Sequence, residues 1–357
     1  MSNSVHNAEE LKRKFLFTPL ETKEDLHAWI QVYLDLDIPD SIVDPDSTAS
    51  PMQAIWEVYD KCRRNDDENY SRVLNYASRM SFKTLAAAIL EVLMVFHLGR
   101  SVAHMAAIEA QARKSQEYVK KFLRRPLLRE FVVGSNQRKV EVVRYDHLKT
   151  GRIISPKEWE ALPQANKDEY EQKSYYITIV ICTMQGANSE HVPFMVIDEV
   201  DVVANPEAYK EAQAIPDSFE GKMPVTVLTS TRKFNYGLVQ KEIDEAHKTG
   251  LHIRHWNILD VTERCPRSRH APDQPDVPIS QLKRITIYRS DETLRGISQA
   301  EYDSLDEKQK ESYVKDEGFV GCLERCKLFA ICKTRLATHQ KSNSKLLKKI
   351  SQVQSQF

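Results

Sequence analysis

The chain has 357 residues, 51 Lys+Arg against 51 Asp+Glu, 41% hydrophobic and 29% charged, which suits a globular protein of one large or two modest domains. No apolar run reaches the ~18 residues of a membrane span, since Leu85–Leu98 is broken by Glu91 and His97, and the N-terminal MSNSVHNAEELKRKF lacks the apolar stretch of a secretory signal. Six cysteines are too few for a disulfide scaffold in a chain this long and point to a reduced compartment.

Residues 1–70 read as a helical N-terminal region with polar turns at Ile38-Pro39-Asp40 and Asp44-Pro45-Asp46-Ser47. Within it, Pro51–Trp56 reads as a helix start with Trp56 as its apolar anchor, or as a site with Gln53 at an adenine edge. From Ser71, short apolar runs alternate with amphipathic segments. Strands are expected at Arg72–Tyr76, Ser101–Met105, Tyr175–Thr183, Val192–Ile197, Val225–Leu228 and Leu251–Leu259. Helices are expected from Lys83, where Leu85, Ala88, Ile89, Val92 and Phe96 share a face, and over Ile108–Leu123. Leu127–Val133 and Lys139–Arg144 read as a hairpin. Nearly continuous apolar strands alternating with helices predict a mainly parallel sheet covered on both faces, an α/β domain.

The resulting division is a core over 71–260 with an insert at about 151–174, a cysteine-containing subdomain over 261–335, and a basic tail over 336–357. Between Lys327 and Phe357 there is no Asp or Glu, while Lys327, Lys333, Arg335, Lys341, Lys345, Lys348 and Lys349 are present. Such a tail can touch phosphate backbones or simply stay solvated. One internal repeat stands out: Ile154-Ser155-Pro156-Lys157-Glu158-Trp159-Glu160-Ala161-Leu162, with Lys167 and Tyr170, recurs as Ile297-Ser298-Gln299-Ala300-Glu301-Tyr302-Asp303-Ser304-Leu305, with Lys310 and Tyr313. Ser followed three residues later by Glu predicts a capped helical insert in each copy, either decorating the surface or docking a partner.

Tyr76–Leu85 follows a strand and opens a helix, the setting of a phosphate-binding loop. Free backbone N–H groups and the dipole at a helix start attract polyphosphate. Ser78, Arg79, Met80, Ser81, Phe82, Lys83 and Thr84 are therefore candidate nucleotide contacts, with Lys83 directed at the β- and γ-phosphates and Thr84 at Mg²⁺. Ala77 and Phe82 stand where G-x-x-x-x-G-K-[ST] has glycine, so the motif by itself is weak. His191–Glu199 adds an apolar strand ending in two carboxylates, Asp198 for Mg²⁺ and Glu199 as the base that activates water. Unpaired carboxylates at a buried strand end are costly, which argues for a functional reason. Val225–Arg232 ends in the hydroxyls of Ser230 and Thr231, placed to sense a γ-phosphate. Together the three strand ends predict a P-loop NTPase of the RecA/ASCE-like class.

Ser78-Arg79 with Lys83-Thr84, the Met195–Glu199 strand and Ser230-Thr231 resemble the ATPase domain of the large terminase subunit of tailed bacteriophages, over roughly Ser71–Asp260. Arg79 matches the extra arginine four residues before the lysine in that family, and Gly186-Ala187-Asn188 matches its turn before the Asp-Glu strand. The resemblance implies a motor that hydrolyses ATP with Mg²⁺ to drive double-stranded DNA into a procapsid. It implies Lys83, Arg79 and Glu199 as catalytic residues. It also implies a homo-oligomeric ring on the capsid vertex, the portal protein and small terminase as partners, and a location in the host cytoplasm, transiently on the procapsid. Arg129 and Arg138 are candidates for an arginine supplied between subunits. Family members add a C-terminal nuclease; the acidic residues after Asp306 (Glu307, Glu311, Asp316, Glu317, Glu324) predict none here. Two other readings stand beside this one: a fragment of a superfamily 2 helicase, and, given Phe82, a nucleotide-insensitive assembly module binding portal or small terminase.

Cys265, Cys322, Cys326 and Cys332, with His270 as a substitute, are a candidate Zn²⁺ set. The alternative is that they are buried as small hydrophobes, the expectation for Cys62 and Cys182.

Overall fold

Strands β7 (Phe194–Asp198) and β8 (Val225–Ser230) are buried at every position, as strands covered by helices on both faces must be. Their side chains alternate between two apolar layers. Phe194, Val196, Val225 and Val227 join one cluster, while Met195, Ile197 and Leu228 join the other. The computed structural model describes residues 11–42, 46–66, 71–78, 81–183, 186, 190–216, 221–232, 236–257, 260–261, 283–289, 296–297 and 302–319. The chain divides into two units, Met1–Ile42 with Asp46–Trp256, and Val43–Pro45 with Asn257–Phe357.

In the first unit the N-terminal region contributes helices α1 (Lys23–Trp29) and α2 (Pro51–Arg64) and a short π-helical stretch, Ile30–Leu34. Ser50 caps α2 by accepting from the Gln53 N–H, and Pro51 occupies its first turn. Then follow β1 (Arg72–Ala77), α3 (Lys83–Phe96), β2 (Val102–Ala106), α4 (Glu109–Leu123), α5 (Pro126–Arg129), β3 (Val132–Ser135), β4 (Lys139–His147) and β5 (Ile153–Ile154). After these come α6 (Pro156–Glu160), α7 (Gln164–Lys167), β6 (Tyr170–Ile181), β7, α8 (Pro206–Ala212), β8, α9 (Leu238–Thr249) and β9 (His252–Trp256). The expected hairpin over Leu127–Val133 is displaced: Pro126–Arg129 is helical, and the strand opposite β4 begins at Val132. Pro126 fits a helix's first turn, which the apolar content of Leu127 and Leu128 concealed.

The nine strands form one sheet in the order β3-β4-β6-β2-β7-β8-β1-β9, with β5 on β4. From β6 to β9 every pairing is parallel. Across the parallel part the order β9-β1-β8-β7-β2 inserts β8 between the strand that leads to Lys83 and the strand that ends in Asp198. This is the arrangement expected of an ASCE-type P-loop sheet, so the α/β class and the mainly parallel sheet are as expected. Helices α3 and α4 cover one face together with α1 and α2, and α8 and α9 cover the other.

The internal repeat extends well beyond its sequence signature. In the first copy β4 pairs antiparallel with β5 (Tyr145 opposite Ile154) and with β6 (His147 opposite Tyr170). In the second unit β10 (Lys283–Arg289) pairs antiparallel with β11 (Gly296–Ile297; Ile287 opposite Ile297) and with β12 (Tyr313–Phe319; Arg289 opposite Tyr313). In each copy a central strand thus pairs with one short and one long partner, and β4 pairs with β3 as well. Lys167 lies 4.5 Å from the Trp159 ring centroid, and Lys310 lies 5.9 Å from that of Tyr302, the matching residue. Ser155 and Glu158 form the expected capping box. In the second copy a capping box joins Asp306 to Gln309 at the start of α10 (Glu307–Lys310); Ser298 and Glu301 lie outside the described residues. No helix among the described residues is long and apolar enough to cross a membrane.

Candidate functional site

The C-terminal ends of β1, β8 and β7 lie side by side, because Tyr76 is the register partner of Ser230 and Thr229 that of Asp198. Lys83 and Thr84 open α3 immediately beyond β1. Lys83 is only 7% exposed. Its ammonium donates to the Ala77 carbonyl (3.0 Å), the Ser78 carbonyl (2.9 Å) and Thr231 Oγ1 (2.9 Å), tying the loop to the end of β8. Thr84 Oγ1 stands 3.4 Å from Asp198 Oδ2. The other carboxylate oxygen, Oδ1, accepts from the Thr229 hydroxyl and from the Glu199 N–H at 3.0 Å. Asp198 is 2% exposed, so these donors satisfy a buried carboxyl group that would otherwise be costly to desolvate.

Two backbone features mark the site. Of the four non-glycine residues with positive φ among the described residues, Asp35 and Asn65 end helices, a role suited to Asp and Asn. The others are Phe82 (φ 71°, ψ −1°) and Glu199 (φ 54°, ψ 48°). Each costs on the order of 1–2 kcal/mol, and strain of this kind persists where surrounding contacts over-determine it. Phe82 packs against the apolar cluster beneath the loop. Its ring is therefore accommodated by the core, and the loop takes at Phe82 the left-handed turn that glycine would adopt.

Several of these supports were not singled out from the sequence. Trp256, at the end of β9, donates its indole N–H to the Ser81 carbonyl at 2.6 Å, and the Ser81 hydroxyl donates to the Ser78 carbonyl at 2.5 Å. The sequence pattern points to the two hydroxyls after Thr229 and not to Thr229 itself. Those two diverge. Thr231 meets Lys83, whereas Ser230 is fully buried and accepts from the Asp201 N–H at 3.1 Å, fixing the turn after Glu199. Asp201 in turn accepts from the Val239 N–H at 3.3 Å in the first turn of α9, beside Gly237.

A second buried cluster lies beneath α3. Glu91 and His104 pair at 2.6 Å, both about 1% exposed. Burial acts to lower the His104 pKa, but the charge and hydrogen bond of Glu91, with a smaller contribution from Asp198, leave it raised. Gln53 donates to Glu57 at 2.7 Å. A cavity of about 320 Å³ near Glu57 and His252 lies toward the start of β9, where His252 pairs with Val73, at the opposite end of β1 from the segment that leads to Lys83.

Arg79 and Met80, and Cys265, Cys322, Cys326 and Cys332, lie outside the described residues. Cys62 and Cys182 are buried free thiols. No group of three or more His, Cys, Asp or Glu side chains suited to a metal occurs among the described residues. The Thr84–Asp198 pair nonetheless suits Mg²⁺, a hard cation that takes one or two protein oxygens and fills its other positions with water and phosphate. Arg129 and Arg138 are exposed, and Arg138 stands 3.7 Å from Glu109.

No protein-family profile matches the chain, and no curated protein matches it. Solved structures resemble it at low identity. The HK97 bacteriophage large terminase is 13% identical with a TM-score of 0.44, over 66% of this chain and 44% of that one. The Thermus phage P74-26 large terminase ATPase domain is 15% identical with a TM-score of 0.38, over 54% of this chain and 78% of that one. The large terminase of a thermophilic bacteriophage in complex with ADP is 13% identical with a TM-score of 0.37, over 53% of this chain and 41% of that one. These structural neighbours are all phage large terminases, at a distance where the site stands on its own geometry.

Proposed function

We propose that the chain binds and hydrolyses ATP at the combined ends of β1, β7 and β8. The observation that carries this reading is the meeting of Lys83 with Thr231, and of Thr84 with Asp198, at the C-terminal edge of a parallel sheet. The first N–H groups of α3 face the polyphosphate, and Lys83 exchanges a loop carbonyl for a phosphate oxygen. Thr84 and Asp198 would hold Mg²⁺, which would supply positive charge to the polyphosphate. Glu199 orients a water in line with the γ-phosphate and takes its proton as the new P–O bond forms and the bond to the bridging oxygen breaks. Thr231 follows the γ-phosphate, and Arg79 adds a positive charge to the loop. Glu199→Gln should abolish phosphate release while leaving affinity for a non-hydrolysable ATP analogue within about threefold; near-normal turnover would remove Glu199 from this role.

The narrower proposal is a DNA-packaging motor, resting on the sequence resemblance of the loop, the Asp-Glu strand and the Ser-Thr strand end. It places the chain in the host cytoplasm and, transiently, on a procapsid in a ring with portal and small terminase. ATP turnover stimulated by intact duplex DNA without strand separation supports it. Unwinding would instead favour a helicase, and absence of analogue binding would favour an assembly module. Elemental analysis for zinc decides the four-cysteine proposal separately.

A further inference from the structure

The phosphate loop carries Ala77 and Phe82 where a glycine-based loop has its freedom, yet Phe82 adopts φ 71°. A left-handed phenylalanine does not hold itself in place. The contact best placed to hold it comes from outside the loop. The Trp256 indole, fully buried, donates its single N–H to the carbonyl of Ser81, the residue before Phe82, at 2.6 Å. Removing that donor would strand a buried carbonyl, which is costlier than the net worth of the bond.

The element presenting the indole is itself anchored. Trp256 and His255 are the register partners of Ala77 and Tyr76, the last residues of β1 before the loop. The His255 ring stacks on Tyr76 at 4.5 Å. On its other side His255 accepts from the Thr48 N–H at 2.8 Å and from the Ala49 N–H at 3.2 Å, and its own N–H donates to Thr48 Oγ1. The end of β9 is thus a fixed edge against which the loop is set.

We propose that Trp256 is a positioning residue for the phosphate loop, its indole N–H imposing on Ser81-Phe82 the turn that glycine would otherwise permit. The inference rests on the ATPase reading for its nucleotide arm only.

The test is a cycle of Trp256→Phe, Phe82→Gly and the double variant in the full chain. It reads ATP-analogue affinity by calorimetry and deuterium uptake of the Ala77–Ala86 peptide without nucleotide. Trp256→Phe should raise uptake in that peptide and weaken the analogue about tenfold, as expected for one stranded buried carbonyl. Phe82→Gly added to it should recover most of the affinity, because glycine takes positive φ unaided. A packing role would not show this rescue, since glycine does not refill the space of the indole. Unchanged uptake in Trp256→Phe, or an equal loss of affinity with and without Phe82→Gly, would overturn the proposal. If the wild-type chain binds no analogue, the ATPase reading falls and uptake alone decides the role of Trp256.

Discussion

At the scale of single residues, the site depends on side chains whose work is to hold other groups in unfavourable states. Asp198, 2% exposed, accepts from both the Thr229 hydroxyl and the Glu199 N–H. Thr229→Val keeps the shape and removes one donor. On the proposed function it should raise the Mg²⁺ concentration for half-maximal turnover about five- to tenfold, the scale of about 1 kcal/mol for a lost hydrogen bond. A magnesium titration of phosphate release checks this. Gly237 has a different reason for being small. A Cβ there would fall 2.0 Å from Asp201 Oδ1, which is itself bonded to the Val239 N–H. Gly237→Ala should dislodge Asp201 from the start of α9 and destabilise the chain by about 1–3 kcal/mol, visible as a lower urea midpoint.

At the scale of elements, strand ends and helix starts bring the site together, and a repeated unit recurs in the sequence. The seventeen-position repeat was readable because its constraints are local: a cap, an aromatic, a leucine, a lysine. Its enclosing strands were not, since pairing of β10 with β11 and β12 depends on partners distant in sequence. The two capping boxes sit at different places in the repeat, since Ser155 matches Ser298 and Asp306 matches Pro163. Ser155→Ala and Asp306→Ala should each cost about 1 kcal/mol of local stability, read as faster amide exchange in α6 and α10. Unchanged exchange would show that the cap does not hold its helix. The displaced hairpin near Pro126 shows the limit of apolar content as a guide, because a helical turn and a strand look alike over four residues.

At the scale of the whole molecule, stability is tied to pH through buried histidines of opposite sense. Burial pushes the His97 pKa down from 6.5 to about 3. The unfolded chain therefore takes up a proton near pH 6.5 that the fold refuses. The contribution of neutral His97 is complete above about pH 6.5 and is lost as pH falls toward 3, by up to roughly 1.4 kcal/mol per pH unit. His104 is raised instead, so its contribution is full below its unfolded value and is lost as pH rises through the folded one. Urea midpoints between pH 7 and 4 should fall with acid, and His97→Gln should flatten that slope; an unchanged slope would show that other groups set it.

The alternation of apolar strands and helices, the helix starting at Lys83, and the carboxylates closing the Val192–Ile197 run were written in the chain, because these signals span a few neighbouring residues. Hydrophobic period was therefore sufficient for the α/β class, and short motifs at a helix start and a strand end for nominating Lys83, Thr84, Asp198 and Glu199. Which groups meet was decided by tertiary structure alone. Strand order brings Thr231 rather than Ser230 to Lys83, and it sets Trp256 against Ser81, 175 residues away in sequence. The left-handed turn at Phe82 belongs to the same class: local preference opposes it, and only packing from distant parts of the chain makes it the lowest-energy state.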